Sequence, residues 1–270
     1  MGDLKTVVRK RLLDDMVAAV DPPSGWKVLV LDAEATRVLS SACRMYDIIE
    51  LGVTVVEPLF QTRQRLDKME AIYYLQPTKK GVARVIEDFA DETAPQYAAI
   101  HLFFTTTLSD ALLNTLKKSN AVRRVKTLRE MNLEFVPYEQ RVFHFNRPDS
   151  FVRLFSPASN QWQREQRVIV ERLVSVCATL NEFPVIRFSK KHPLAGGIAR
   201  LLQEKLEEFA ANNKKWRANE GAERATLLVL DRSEDPVAPL VHEFTYQAMI
   251  YDLLPSVRPH VTFKLQSQLA

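Results

Sequence analysis

The chain has 270 residues, 46% of them hydrophobic and 26% charged, with a formal net charge of +4. That balance fits a globular protein of about two domains and excludes a disordered or low-complexity chain. The basic clusters at 123–126, 190–191 and 214–215 lie apart and lack interleaved aromatics, so they read as solvated helix faces and not as a nucleic-acid groove.

Leu4, Val7, Val8, Leu12, Met16 and Val20 form one apolar stripe, which predicts an amphipathic helix over 4–20, ended by DPPSG at 21–25. KVLVLD at 27–32 reads as a buried strand, and a helix carrying Ala35, Val38, Leu39 and Cys43 follows it. VTVVE at 53–57, AIYYL at 71–75 and AAIHLFF at 98–104 are the next strands, with a helix over 80–90 before the last. Ser109 or Asp110 caps a helix over 109–119, and a further helix is expected around 121–131 before LEFVPY at 133–138. Breaker-rich loops stand at 146–150 and 156–160. A long helix at 162–181, a strand at 184–188, a helix at 194–212, a polar loop at 213–224 and a strand at 226–231 complete the alternation. Asp235, Pro236 and Pro239 then interrupt regular structure, and from His242 the apolar spacing is helical again. Short apolar strands alternating with amphipathic helices imply an α/β fold with a doubly wound parallel sheet covered on both faces.

Enzyme motifs are scarce. Seven glycines leave little material for a phosphate-cradling loop, and neither a Walker loop nor a G-x-S-x-G elbow occurs. His242-Glu243 opens like a zinc-protease helix, but the fourth residue after His242 is Tyr246. His101 reads as a core histidine. Cys43 and Cys177, far apart in apolar surroundings, read as buried thiols of a reducing compartment. Asp32, at the carboxyl end of the first strand, admits two readings: it caps the following helix, or it is the nucleophile of a phosphoryl-transfer enzyme with Asp231 or Asp235 as distant carboxylates. The N-terminal segment has no apolar signal core, and no apolar run approaches the ~18 residues of a membrane span.

The stretch LLVLDRSEDPVAPLVHEFTYQAMIYDLLP at 227–255 resembles the signature of the SM family, the Sec/Munc/Unc-type proteins that bind syntaxins and govern SNARE assembly in vesicle fusion. WKVLVLD at 26–32, RVLSSACRMYDI at 37–48, SDALLNTLKKS at 109–119, VKTLREMNLEFVPYE at 125–139 and VCATLNEFPVIRF at 176–188 extend the resemblance, nearest the plasma-membrane Unc-type branch. It implies an α/β first domain over 1–132, the first part of an α/β second domain over 133–241, and the start of a helical third domain over 242–270. It also implies a non-enzymatic regulator without a cofactor, cytoplasmic, and peripheral at the plasma membrane through its partner. The implied partner is a syntaxin-type SNARE, engaged through its folded region and its N-terminal peptide, with the assembled SNARE complex as a further partner. The family's contacts to the folded region correspond to Asp32, Arg37, Arg44, Glu57 and Arg63. Those to the peptide correspond to Leu108, Leu113, Leu116, Val125 and Leu128 as an apolar groove, with Glu130 as its acid. Leu113 and Leu116 share a helix face, and Val125 and Leu128 would do so on the next helix, although leucines so spaced equally serve to pack helices on a sheet.

Overall fold

The computed structural model describes residues 3–214, 216 and 223–253. Its first unit is built on five parallel strands: β1 (Lys27–Leu31), β2 (Val53–Pro58), β3 (Leu66–Leu75), β4 (Tyr97–Phe104) and β5 (Val125–Glu130). Their order is β2-β1-β3-β4-β5, so the direction of winding reverses between β1 and β3. Every residue of β1 is buried, as a central strand covered on both faces requires: Val28–Leu31 are apolar, and Lys27 at the start is hydrogen-bonded inside.

Asp3 opens α1 (Leu4–Leu12) by accepting a hydrogen bond from the Lys5 amide. The helix then widens into a π turn over Leu13–Val17, shorter in its α form than the stripe predicts. Its end is held by the buried Lys27 ammonium, which donates to the carbonyls of Val17 and Val20 at 2.7 and 2.5 Å. With α2 (Ala33–Ala42), α1 covers one face of the sheet. On the other face α4 (Lys79–Glu87) brings Val82 and Val85, and α5 (Asp110–Lys117) brings Leu116, to the core. A short helix, α3 (Met45–Ile49), was not foreseen from the sequence. Asp47 holds it, accepting the Arg44 amide and a two-pronged bond from Arg9 of α1.

The helix expected around 121–131 is instead a 3₁₀ turn, Asn120–Arg124, followed by the edge strand β5. Edge exposure hides the alternation that marks a strand: only Val125 and Thr127 in it are even half-buried. The LEFVPY segment at 133–138 holds only the two-residue β6 (Val136–Pro137), paired with β7 (Phe143–His144), because Leu133 and Phe135 turn into the core of the first unit.

A second core lies between α7 (Trp162–Leu180), α8 (Pro193–Asn212) and a two-stranded parallel sheet of β8 (Val185–Phe188) and β9 (Thr226–Val229). Asn181, in the left-handed conformation at φ 55°, ends α7. Val176 of α7 packs into the first core, which ties the two units together. The six-residue α6 (Ser150–Phe155), which lies between the two expected loops, buries none of its residues. The helix expected from His242 begins later, as α9 (Tyr246–Leu253), and the expected polar loop at 213–224 falls largely outside the described residues.

Candidate functional site

The five positions expected to meet a folded partner separate into two groups. Arg37, on the outer face of α2, and Arg44, just before α3, are exposed. Arg37 pairs with Glu34 one turn earlier. The other three face inward to different degrees. Asp32 is buried at the N-cap of α2, where one oxygen accepts the Ala35 amide at 2.8 Å and the other the Gln76 amide at 2.6 Å. It therefore stitches the end of β1 to the end of β3, across the point where the winding reverses. Arg63 forms a two-pronged pair with Asp88 at 2.8 and 2.7 Å, the side chains being 2% and 4% exposed. Tyr73 adds a hydroxyl to Asp88 at 2.8 Å. Glu57, half-buried on β2, accepts from the Tyr97 hydroxyl, which lies 3.5 Å from Arg63. Asp32 and the Arg63 side chain are thus enclosed within the sheet unit, each committed to partners there, although the buried Arg63 Nε has none.

Sequence reasoning missed the apolar part of this surface. Met45, Tyr46 and Ile49 of α3, and Trp26 just before β1, are each more than half exposed, and Trp26 and Ile49 line one cleft. The signal was present as M-Y-x-x-I after Arg44, but without α3 it had no face to belong to.

The second set of positions converges. β5 pairs with β4 through Ile100↔Val125, Leu102↔Leu128 and Phe104↔Glu130, with a register shift after the first pair. Paired residues of neighbouring strands share a face, and Ile100, Leu102 and Phe104 all belong to the core beneath α4 and α5. The shift therefore places Val125, Leu128 and Glu130 on the α5 side together, a juxtaposition made by a strand irregularity and not by helical spacing. Leu108 and Leu116 are buried, and Leu113 and Val125 pack at the margin of the same core. Leu128 remains 40% exposed. Two residues beyond Leu128 on β5, the exposed Glu130 accepts the Leu108 amide at 2.9 Å through one carboxylate oxygen. An apolar floor closed by one acid suits an apolar side chain followed or preceded by a basic one.

The chemical alternatives fare less well. Burial pushes the Asp32 carboxyl pKa upward, and a nucleophile needs an ionised, reachable carboxylate. Asp231 lies in the second unit beyond β9, accepting from Ser233, and Asp235 caps the turn at Val237 and Ala238. His192 sits between Ser233 (3.2 Å) and Glu234 (3.1 Å), in the order of a hydrolase triad. The Ser233 hydroxyl, however, donates to Asp231 at 2.6 Å and has no proton left for the imidazole. His101 is buried between Glu70 and Thr127, at 2.8 and 2.9 Å. Burial pushes both cysteine thiols up to about 12, so neither is a nucleophile at neutral pH. Among the described residues no group of three metal-ligating side chains occurs, and no helix is long and apolar enough to cross a membrane.

Comparison with known proteins places this geometry. The chain is 46% identical over 252 residues to a protein transport protein sec1 of Dictyostelium discoideum, covering 93% of this chain and 42% of that one. It is 33% identical to the SNARE-interacting protein KEULE of Arabidopsis thaliana, covering 93% and 40%. Among solved structures, the Unc18-syntaxin 1 complex from Monosiga brevicollis superimposes with a TM-score of 0.86 at 38% identity, over 93% of this chain and 44% of that one. Sly1p in complex with an N-terminal peptide of Sed5p gives 0.80 at 25% identity, over 93% and 45%. The chain therefore spans about two fifths of the length of the curated relatives it matches. The Sec1 family profile matches residues 27–268, from the first strand of the sheet onward, and the chain belongs to the Sec1 family.

Proposed function

We propose that this chain binds a syntaxin-type SNARE and, through it, regulates vesicle docking and fusion as a non-enzymatic protein, held at the plasma membrane by its partner. The observation that carries the reading is that Leu128, 40% exposed, and Glu130, whose carboxylate accepts the Leu108 amide, share the α5 side of β5, and there they would frame a groove. Support comes from relatives of the same fold solved with syntaxin 1 and with an N-terminal peptide of Sed5p. The groove takes the partner's N-terminal peptide. The folded region meets Arg37 and Arg44, with the Trp26, Met45, Tyr46 and Ile49 patch supplying apolar area next to them. Such a mixture of arginine and aromatic residues is what interface anchors are made of. The domain division at 132 and 241 is part of this proposal, with the 1–132 unit carrying both surfaces.

Titration of a syntaxin cytoplasmic region, with and without its N-terminal peptide, tests the reading. Glu130→Lys is expected to weaken binding of the isolated peptide by about 1–3 kcal/mol, the worth of a charge-assisted bond. Glu130→Gln separates charge from structure, because its amide oxygen still accepts the Leu108 N–H while the anion is gone. Both variants should lose peptide affinity with an unchanged melting temperature for Glu130→Gln. Peptide affinity equal to the parent in both variants would remove the groove from the proposal.

A double charge reversal, Arg37→Glu with Arg44→Glu, is expected to slow association with the folded region and to flatten its salt dependence. Peptide binding should be untouched. Equal association rates at low and high salt in the parent protein would dismiss this surface.

A further inference from the structure

A second charged cluster lies outside both surfaces. Glu165, in the first turn of α7, has a side chain only 2% exposed and is gripped from three directions. Arg147 donates to both its oxygens at 2.7 and 2.6 Å, Arg153 reaches it at 3.3 Å, and the Ser150 hydroxyl donates to it at 2.5 Å. All three donors come from one segment, 147–153, whose helix α6 buries nothing of its own. Glu165 is therefore a latch that fastens an otherwise loosely held helix to α7. The latch has only polar teeth.

We propose that Ser150 is a phosphorylation site and that its modification opens this latch. When α6 peels away, the sequence Arg-Pro-Asp-Ser-Phe-Val-Arg is presented with Arg147 three residues before the serine and Arg153 three residues after it. Arginine-directed kinases read such flanking charge, and a helix without buried side chains opens cheaply. In the transfer step the Ser150 hydroxyl oxygen attacks the γ-phosphorus of ATP. The bond from that phosphorus to the bridging oxygen breaks, ADP leaves, and the hydroxyl proton passes to the kinase. The resulting phosphate carries nearly two negative charges and three acceptor oxygens, and it takes Arg147 and Arg153 for itself. It also repels Glu165, the group Ser150 formerly held. The helix cannot reseat without burying an unpaired carboxylate beside a phosphate.

The same segment reaches the partner surface. Asn146, next to Arg147, donates to Glu34 at 3.3 Å, and Glu34 is the ion-pair partner of Arg37. Release of 146–155 thus frees Glu34 to hold Arg37 alone. That consequence rests on the reading of Arg37 as a contact; the modification itself does not.

The experiment incubates the 270-residue chain with ATP and an arginine-directed, calmodulin-dependent kinase, and maps phosphate by mass spectrometry. One phosphate at Ser150 is expected, absent in Ser150→Ala. Glu165→Gln loosens the latch without altering the recognised sequence and should accept phosphate about tenfold faster, the weight of one charge-assisted bond. Hydrogen exchange of the phosphorylated chain should show 146–155 deprotected while 165–180 keeps its protection. No phosphate on Ser150 in the parent chain, or undiminished incorporation in Ser150→Ala, overturns the site. Unchanged protection of 146–155 after phosphorylation overturns the latch.

Discussion

Asp88→Ala is expected to cost the sheet unit about 3–5 kcal/mol, because it strands the Arg63 guanidinium inside the protein without its counter-ion. The pair is two-pronged, both side chains are almost wholly enclosed, and Tyr73 spends its hydroxyl on the same carboxylate. For a protein of this size such a loss lowers the melting temperature by about 10 °C. Arg63→Ala should cost a similar amount, since it leaves Asp88 with Tyr73 and a 3.7 Å approach from Arg84. The double replacement Arg63→Met with Asp88→Leu should recover most of the loss, because removing both ions also removes the need to solvate them. Thermal unfolding of Arg63→Met, Asp88→Leu and their double replacement forms a cycle, and additive losses in the double variant would show the pair to be uncoupled. The outcome bears directly on function. A charge reversal at Arg63 would destabilise the whole unit, so a loss of binding in such a variant would not by itself identify a contact.

The second large effect is on pH dependence. The Arg147 guanidinium beside Glu165, opposed by burial and aided by Ser150 and Arg153, holds its carboxyl at about 2, against an ordinary 4.5. A carboxylate depressed in the folded state stabilises the protein at every pH above its unfolded value, and the contribution fades as pH falls from 4.5 toward 2. Its full worth is about 3 kcal/mol at neutral pH by linkage. The parent chain should therefore lose stability steeply in that acid window. Glu165→Gln should start less stable at pH 7 and lose less between pH 5 and 2.5, so the two curves converge at the acid end. Parallel curves over that range would show that Glu165 titrates normally. Detachment of α6 should accompany the loss, visible as exchange of the 150–155 amides before those of α7.

Much of the architecture was legible without coordinates, because the forces that set it are local. Val28–Leu31 is an uninterrupted apolar run, and a central strand covered on both faces consumes such a run. The 162–180 and 193–212 helices announce themselves by periodic apolar positions, and Asn181 ends the first of them within its own turn. Asp32 was readable as a cap for the same reason, since its first partner, Ala35, lies three residues away.

The tertiary structure decided what depends on partners distant in the chain. Whether Arg63 faces a ligand or the interior is settled by Asp88, 25 residues on, and no local pattern encodes that meeting. The second oxygen of Asp32 finds Gln76 only because β1 and β3 are neighbours in the sheet. Residues 125–130 became a strand because an open edge of β4 was there to receive them, and the register shift that gathers Val125, Leu128 and Glu130 exists only between those two strands. Composition and spacing determine which segments must be buried and which can be helical. Pairing across the sheet determines which charges are consumed inside the protein and which remain for a partner, because an ion's fate rests on the groups that surround it in space.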